Sequence, residues 1–167
     1  MALTAEILTR VKFAYTKSGD YGPTELNDKV QSLIQLTSGT GANQADILFV
    51  DDRSITASGT DDLDLAGVLS DAFGDTIAAA EIVAIMIVAS AGNTNNLVIG
   101  GDTNDLPIFA DGSDEISLKP GGVLLMACPT AAGLATVTAG TGDVLGLANS
   151  GSGTAVAYTI CIIARSA

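Results

Sequence analysis

Histidine and tryptophan are both absent from this chain of 167 residues, and aromatic residues make up only 4% of it. Without histidine there is no side chain whose ordinary pKa lies near neutrality, no Ser-His-Asp arrangement, and no imidazole to hold a catalytic zinc. A cysteine nucleophile would lack its usual histidine base. Carboxylates alone suffice for glycoside hydrolysis, but the acids Asp51/Asp52, Asp61/Asp62/Asp64 and Asp114/Glu115 fall in loop-like stretches where solvation accounts for them. A sugar-binding groove would also need aromatic faces that this chain scarcely has. The composition points to a protein that is not an enzyme and needs no cofactor.

Basic residues are scarce too: seven Lys and Arg against nineteen Asp and Glu give a net charge of −12 at pH 7. Within residues 1–29, Arg10, Lys12, Lys17 and Lys29 balance Glu6, Asp20, Glu25 and Asp28, so the whole −12 falls on residues 30–167. Such a surface repels phosphate backbones and anionic lipid, and neither nucleic acid nor a membrane is an expected partner. The longest apolar run, residues 82–89, is far shorter than the ~20 residues of a spanning helix. Glu6 and Arg10 interrupt what would be the apolar core of a secretory signal, so a cytoplasmic protein is expected. Two cysteines, Cys128 and Cys161, sit in apolar contexts and are expected as buried, reduced thiols rather than a disulfide framework. The short motifs GTG (39–41 and 140–142) and GSG (151–153) lack the continuation of a phosphate-binding loop and are explained as turns.

What is abundant is glycine, nineteen residues without a Gly-X-Y period, set between short apolar runs. The last third reads GGVLLMACP, ATVTAGTG, DVLGLANSGSG, TAVAYTICIIA, the pattern of an antiparallel sandwich or barrel. Val11, Phe13 and Tyr15 alternate with Lys12, Ala14 and Thr16, the period of a half-buried strand, and SGDYGP (18–23) supplies a turn after it. Further strands are expected at 30–36, at 47–50 with continuation through Ile55, and at 97–101. Two readings of residues 61–74 stand side by side. Leu65, Val68, Leu69 and Ala72 have helical spacing behind Asp61, Asp62 and Asp64, giving a short helix near 64–73; or the segment is an extended loop with a strand at 63–65. EIVAIMIVAS (81–90) is apolar without alternation, so a strand there needs cover on both faces, from a loop of the same chain or from a neighbouring subunit. The expected fold is all-β, a single domain with about eight to ten strands: residues 1–29 as an N-terminal strand or arm, residues 30–167 as the sandwich. The acidic loop holding Asp102, Asn104, Asp105, Asp111, Asp114 and Glu115 offers oxygen ligands of the kind calcium takes, without the EF-hand spacing. No other metal site is suggested.

The pieces KPGGVLLM (119–126), VTAGTGDVLGLANSG (137–151) and YTICIIARSA (158–167) resemble small virion proteins encoded beside the head genes of tailed bacteriophages, a likeness covering roughly residues 60–167. The resemblance implies a jelly-roll-like sandwich that decorates, or cements, the capsid exterior as a homotrimer, made in the host cytoplasm and bound to the major capsid protein. On that reading Arg10, Lys12 and Lys17 are the candidate contacts to acidic capsid groups. Ile82, Val83, Ile85 and Ile87 are the candidate oligomer interface. The alternatives are a head-fibre or tail-tip module that binds a receptor or glycan, and another self-assembling capsid or tail-tube subunit.

Overall fold

β-Branched residues cut by glycine turns favour strands over helices throughout the chain. The computed structural model describes residues 2–167. Its strands are β1 (Ala5–Gly19), β2 (Gly22–Ser38), β3 (Gln44–Ala45), β4 (Ile47–Ile55), β5 (Thr60–Asp64), β6 (Ala66–Ser70), β7 (Thr76–Ala78), β8 (Glu81–Ala89), β9 (Leu97–Gly100), β10 (Glu115–Leu118), β11 (Val123–Ala127), β12 (Ala135–Thr136), β13 (Val144–Asn149) and β14 (Val156–Arg165). Among the described residues there is no helix.

Two antiparallel sheets pack face to face. The larger has the order β11-β8-β14-β4, with β12 also on β8, and the smaller has the order β10-β9-β13-β5. The pairing is nested: β4 with β14, β5 with β13, β8 with β11 and β9 with β10. Successive pairs alternate between the two sheets, so the chain from β4 to β14 runs as one long hairpin rolled into two layers. Ile85, Ile87, Ile160 and Ile162 of the larger sheet meet Leu63, Leu97, Ile99, Leu145 and Leu147 of the smaller, none more than 1% exposed. Each such side chain contributes about 1.5–3 kcal/mol by leaving water. Phe49 and Tyr158 are the aromatic residues fully buried in this core, as a composition so poor in aromatics requires.

The helix over 64–73 does not form. Leu63 pairs with Leu145 inside the sandwich, the Asp64 carboxylate accepts the Ala66 N–H, and Gly67 takes a φ of 125°, outside helical space. Residues 66–70 then pair with β7 instead. The spacing that suggested a helix is not a buried stripe, since Val68 is 72% exposed. Carboxylates ahead of apolar residues here serve a turn rather than a helix N-terminus.

The missing alternation of residues 82–89 has two physical causes. First, β8 carries a bulge: Ala84 pairs with Ile163 but Ile82 with Ala164, so Val83 has no opposite residue on β14. A bulge puts two successive side chains on one face, and Val83 and Ala84 both turn to the outer side, away from the main core. Second, that outer side has its own cover. Val83, Ala84 and Ile163 form a second buried cluster with Leu36 and Ala45, packed by Leu3, Ala5, Ile7 and Ile34 from the root of the β1–β2 hairpin.

Candidate interaction surface

β1 and β2 pair without interruption from Ala5↔Leu36 to Gly19↔Gly22. Past its root this hairpin leaves the body: every residue from 8 to 33 is exposed. The division expected at residue 29 falls inside β2, where Lys29 and Val30 pair with Lys12 and Val11. The period-two pattern at Val11, Phe13 and Tyr15 is a strand, but nothing in the protomer covers its apolar side.

Cross-strand partners share a face of the hairpin, which assigns its two sides. One carries Val11/Val30, Phe13/Asp28 and Tyr15/Leu26; Val11, Tyr15, Leu26 and Val30 are each more than half exposed. This side is continuous with the Ile7/Ile34 pair that rests on the body at the root. The other side sets Arg10 beside Gln31 and Lys12 directly opposite Lys29. Like charges facing each other across a hairpin disfavour it unless an acid from elsewhere meets them. Of the candidate contacts, Arg10 and Lys12 therefore share the basic side with Lys29, while Lys17, opposite Thr24, lies on the apolar side near the tip. None of these cations has an acid within ion-pair distance among the described residues.

The outer face of the larger sheet is the second part of the surface. Across its strands run the rows Val123, Val88, Thr159, Asp52, and then Leu125, Met86, Cys161, Val50. Val123, Val50 and Met86 are 56%, 51% and 40% exposed. Shallow grooves of about 280 Å³ (Ile7, Leu8, Met86, Leu125) and about 250 Å³ (Leu3, Leu48, Val50, Phe73) flank the hairpin root on this face. Of the candidate interface residues, Ile82, Ile85 and Ile87 are at most 1% exposed in the main core, and Val83 lies under the hairpin root. None of the four reaches the protomer surface, because the outward positions of β8 beyond the bulge are Met86 and Val88. Cys128 and Cys161 are free thiols, and both are half-buried rather than buried.

Two arginines set this architecture. Arg165 has no exposed side-chain surface; its guanidinium donates to Gly41 O at 3.0 Å and Thr130 O at 2.7 Å. Its Nε lies 3.2 Å from Glu81 Oε2 as an ion pair, without hydrogen-bond alignment. It thereby ties the loop after β2, which carries the hairpin root, to β8 and to the loop before β12. Gly133 must be glycine here: its φ is 63°, and a Cβ would collide with Ile82 O and crowd the Arg165 guanidinium. Arg53 reaches across the sandwich edge. Its Nε and Nη2 hold both Asp61 oxygens at 2.6 and 2.8 Å, its Nη1 meets Asp51 at 2.8 Å, and the Tyr158 hydroxyl donates to Asp61 at 2.7 Å. The Arg53 pair, then the Tyr158 bond, holds the Asp61 carboxyl below the usual aspartate range, while burial, then Asp61, pushes the Tyr158 phenol up.

This network binds sheet to sheet and faces no enclosed cavity. Asp61→Ala should cost about 2 kcal/mol at neutral pH, the scale of a charged hydrogen bond. Because the native pKa of Asp61 is depressed, its contribution is full above the ordinary value of about 4 and is lost as pH falls through the native one. The gap in urea midpoint between wild type and Asp61→Ala should therefore shrink on acidification. A gap that stays constant would refute the assignment.

The smaller sheet turns outward Asp62, Asp64, Glu115 and Ser117 among the half-buried Val98, Val144 and Ala148, a mixed face that carries acids. The calcium candidates beside it are not brought together. Asp105 accepts from the Gly101 N–H and Asp102 from Asn104, while Asp111 accepts from Ser113 and Asp114 from the Asp111 N–H. Among the described residues no three acidic, cysteine or histidine side chains stand close enough to share a cation.

No protein-family model, curated protein or solved structure matches this chain.

The functional assignment therefore rests on the surface itself. Sequence reasoning missed Met86, Val50 and Val123 as surface residues, Arg165 as the group that ties the hairpin root to the body, and Arg53 as the tie between the two sheets. A signal for the arginines was present: each is a lone cation in an acidic or apolar context, DDRS and ICIIARS.

Proposed function

We propose that this chain is a non-enzymatic virion protein of a tailed bacteriophage, a trimeric jelly-roll protein that decorates the capsid exterior and cements its subunits. One observation carries the reading: the two broad faces of the sandwich differ in character. The smaller sheet turns acids outward among half-buried aliphatic residues, whereas the larger presents the exposed Met86, Val50 and Val123 and a projecting hairpin whose cations have no acid within ion-pair distance among the described residues. A wall protein needs such a division, with one side for solvent and one for its neighbours. The nested pairing of β4–β14, β5–β13, β8–β11 and β9–β10 is the plan of a jelly roll and supports the fold half of the proposal. The resemblance of residues 60–167 to small virion proteins encoded beside the head genes of tailed bacteriophages supports the other half.

In this reading Arg10 and Lys12, with Lys17 at the tip, meet acidic groups of the major capsid protein. Trimer multivalency multiplies modest contacts into stable attachment. The test is occupancy of capsids assembled without this protein. Joint Arg10→Glu and Lys12→Glu substitution, at exposed positions, should weaken attachment at least tenfold without lowering the melting temperature. Wild-type occupancy by the doubly substituted protein would overturn the contact, and no binding by the wild-type chain would overturn the capsid reading.

A further inference from the structure

We propose that the apolar side of one protomer's hairpin docks on the uncovered outer face of the larger sheet of a second copy of this chain. The inference deepens the self-association in the preceding reading and is independent of the capsid.

Continuity argues for it first. At its root, the Ile7/Ile34 side of the hairpin already lies on the outer sheet face, over Val83, Ala84 and Ile163. Beyond the body and past the polar pair Thr9/Ser32, the same side continues as Val11, Val30, Phe13, Tyr15 and Leu26, all exposed, with Asp28 opposite Phe13 and Lys17 near the tip. On the same sheet face exposed apolar surface remains at Met86, Val50 and Val123, beside the half-buried Leu125 and Cys161. A second copy extends the kind of support that the root receives from its own chain. A two-stranded ribbon without such support is marginal in water, since it needs a packed face to hold its register.

Area argues next. The free ribbon is about 40 Å long at ~3.3 Å per residue and about 10 Å wide, so one side offers about 400 Å². The receiving sheet gives up a similar area, so each hairpin-to-sheet contact buries about 800 Å², small for a specific interface by itself, and a closed ring of three copies buries about 2,400 Å² in all. Charge argues last. Residues 39–167 carry the whole −12 while the hairpin is neutral, its docking side carrying both Lys17 and Asp28, so two bodies repel and the hairpin is the part of the chain that approaches an acidic copy with the least repulsion. Docking by the apolar side also leaves Arg10, Lys12 and Lys29 facing outward.

The experiment is the solution mass of the full chain, by light scattering after size exclusion, for wild type, for Val11→Glu with Val30→Glu, and for Val50→Glu. The three substituted residues are 63%, 70% and 51% exposed, so the protomer should stay folded, with strand circular dichroism and cooperative melting as the check. Wild type should be a multiple of the 16.7 kDa chain. Both variants should be monomers at the same concentration, their dissociation constants raised about 100-fold or more by charges placed in a dry contact. A wild-type monomer would overturn the proposal and assign this face to a different protein. Variants that keep the wild-type mass would overturn it in favour of another interface. Because capsids are absent, neither result depends on the attachment test, and a capsid-binding failure leaves the mass result standing.

Discussion

Arg165→Ala is expected to lower the free energy of unfolding by about 3–5 kcal/mol, the cost of breaking a buried charged contact by removing one partner. A domain is stable by only about 5–15 kcal/mol, so the loss is a large share of the whole. The guanidinium has no exposed surface and serves three segments at once, the Gly41 carbonyl, the Thr130 carbonyl and the Glu81 carboxylate. Truncation leaves those acceptors in a space that water would have to fill. The damage concentrates where the hairpin joins the body, because the Gly41 loop closes against β2 through Thr37 N–H to Asn43 O and Gly39 N–H to Ala45 O. Arg165→Lys keeps the charge for Glu81 but cannot span two carbonyls with a single ammonium, so its loss should be intermediate. The measurement is the urea midpoint at neutral pH. A loss below about 1 kcal/mol for the alanine variant, the scale of an ordinary surface change, would contradict the role assigned to Arg165.

The sequence disclosed the strands and concealed their partners. Glycine turns and branched aliphatic runs marked most of β4 and β8 to β14, because both signals are local. The nested pairing is not local: β4 meets β14 across most of the chain, and no property of residues 47–55 names residues 156–165 as their neighbour. Hydrophobic spacing misled at 64–73: Leu65 is buried but Val68 is 72% exposed, so the helical pattern does not mark one buried face, and the alternative of a strand at 63–65 is nearer, since β5 ends at Asp64. For residues 82–89 the need for a second cover was legible, but its source was not, since the bulge at Val83 and the hairpin root over it leave no mark in β8 itself. The same limit governs the hairpin. Alternation at Val11, Phe13 and Tyr15 signals a face that favours burial, and it cannot distinguish cover by the same chain from cover by another copy. The surface residues were missed for a related reason: in an unbroken apolar run, Ile85 and Met86 look alike.

Those two neighbours separate folding from association. Ile85 is 1% exposed and pairs with Ile162, itself paired with Phe49, on the inner side of the larger sheet, whereas Met86 is 40% exposed and pairs with Leu125 and Cys161 on the outer side. Ile85→Asp removes a buried branched side chain and puts a carboxylate where no partner exists. The lost transfer and cavity energy alone is about 2–5 kcal/mol, and the desolvated acid adds several more. Together they match or exceed the stability of a domain this size, so the expected product is unfolded at 25 °C, with no cooperative melt. Met86→Asp places the same carboxylate at the protomer surface, where water reaches it, and the fold should lose about 1–2 kcal/mol, far less than at Ile85. If the outer row receives a second copy's hairpin, that acid must be buried on docking, and the variant should be a folded monomer. Circular dichroism with light scattering reads both results in one preparation. A cooperative, wild-type melt of Ile85→Asp would refute the inward face assigned to β8, and a Met86→Asp protein of wild-type mass would remove the outer row from the interface.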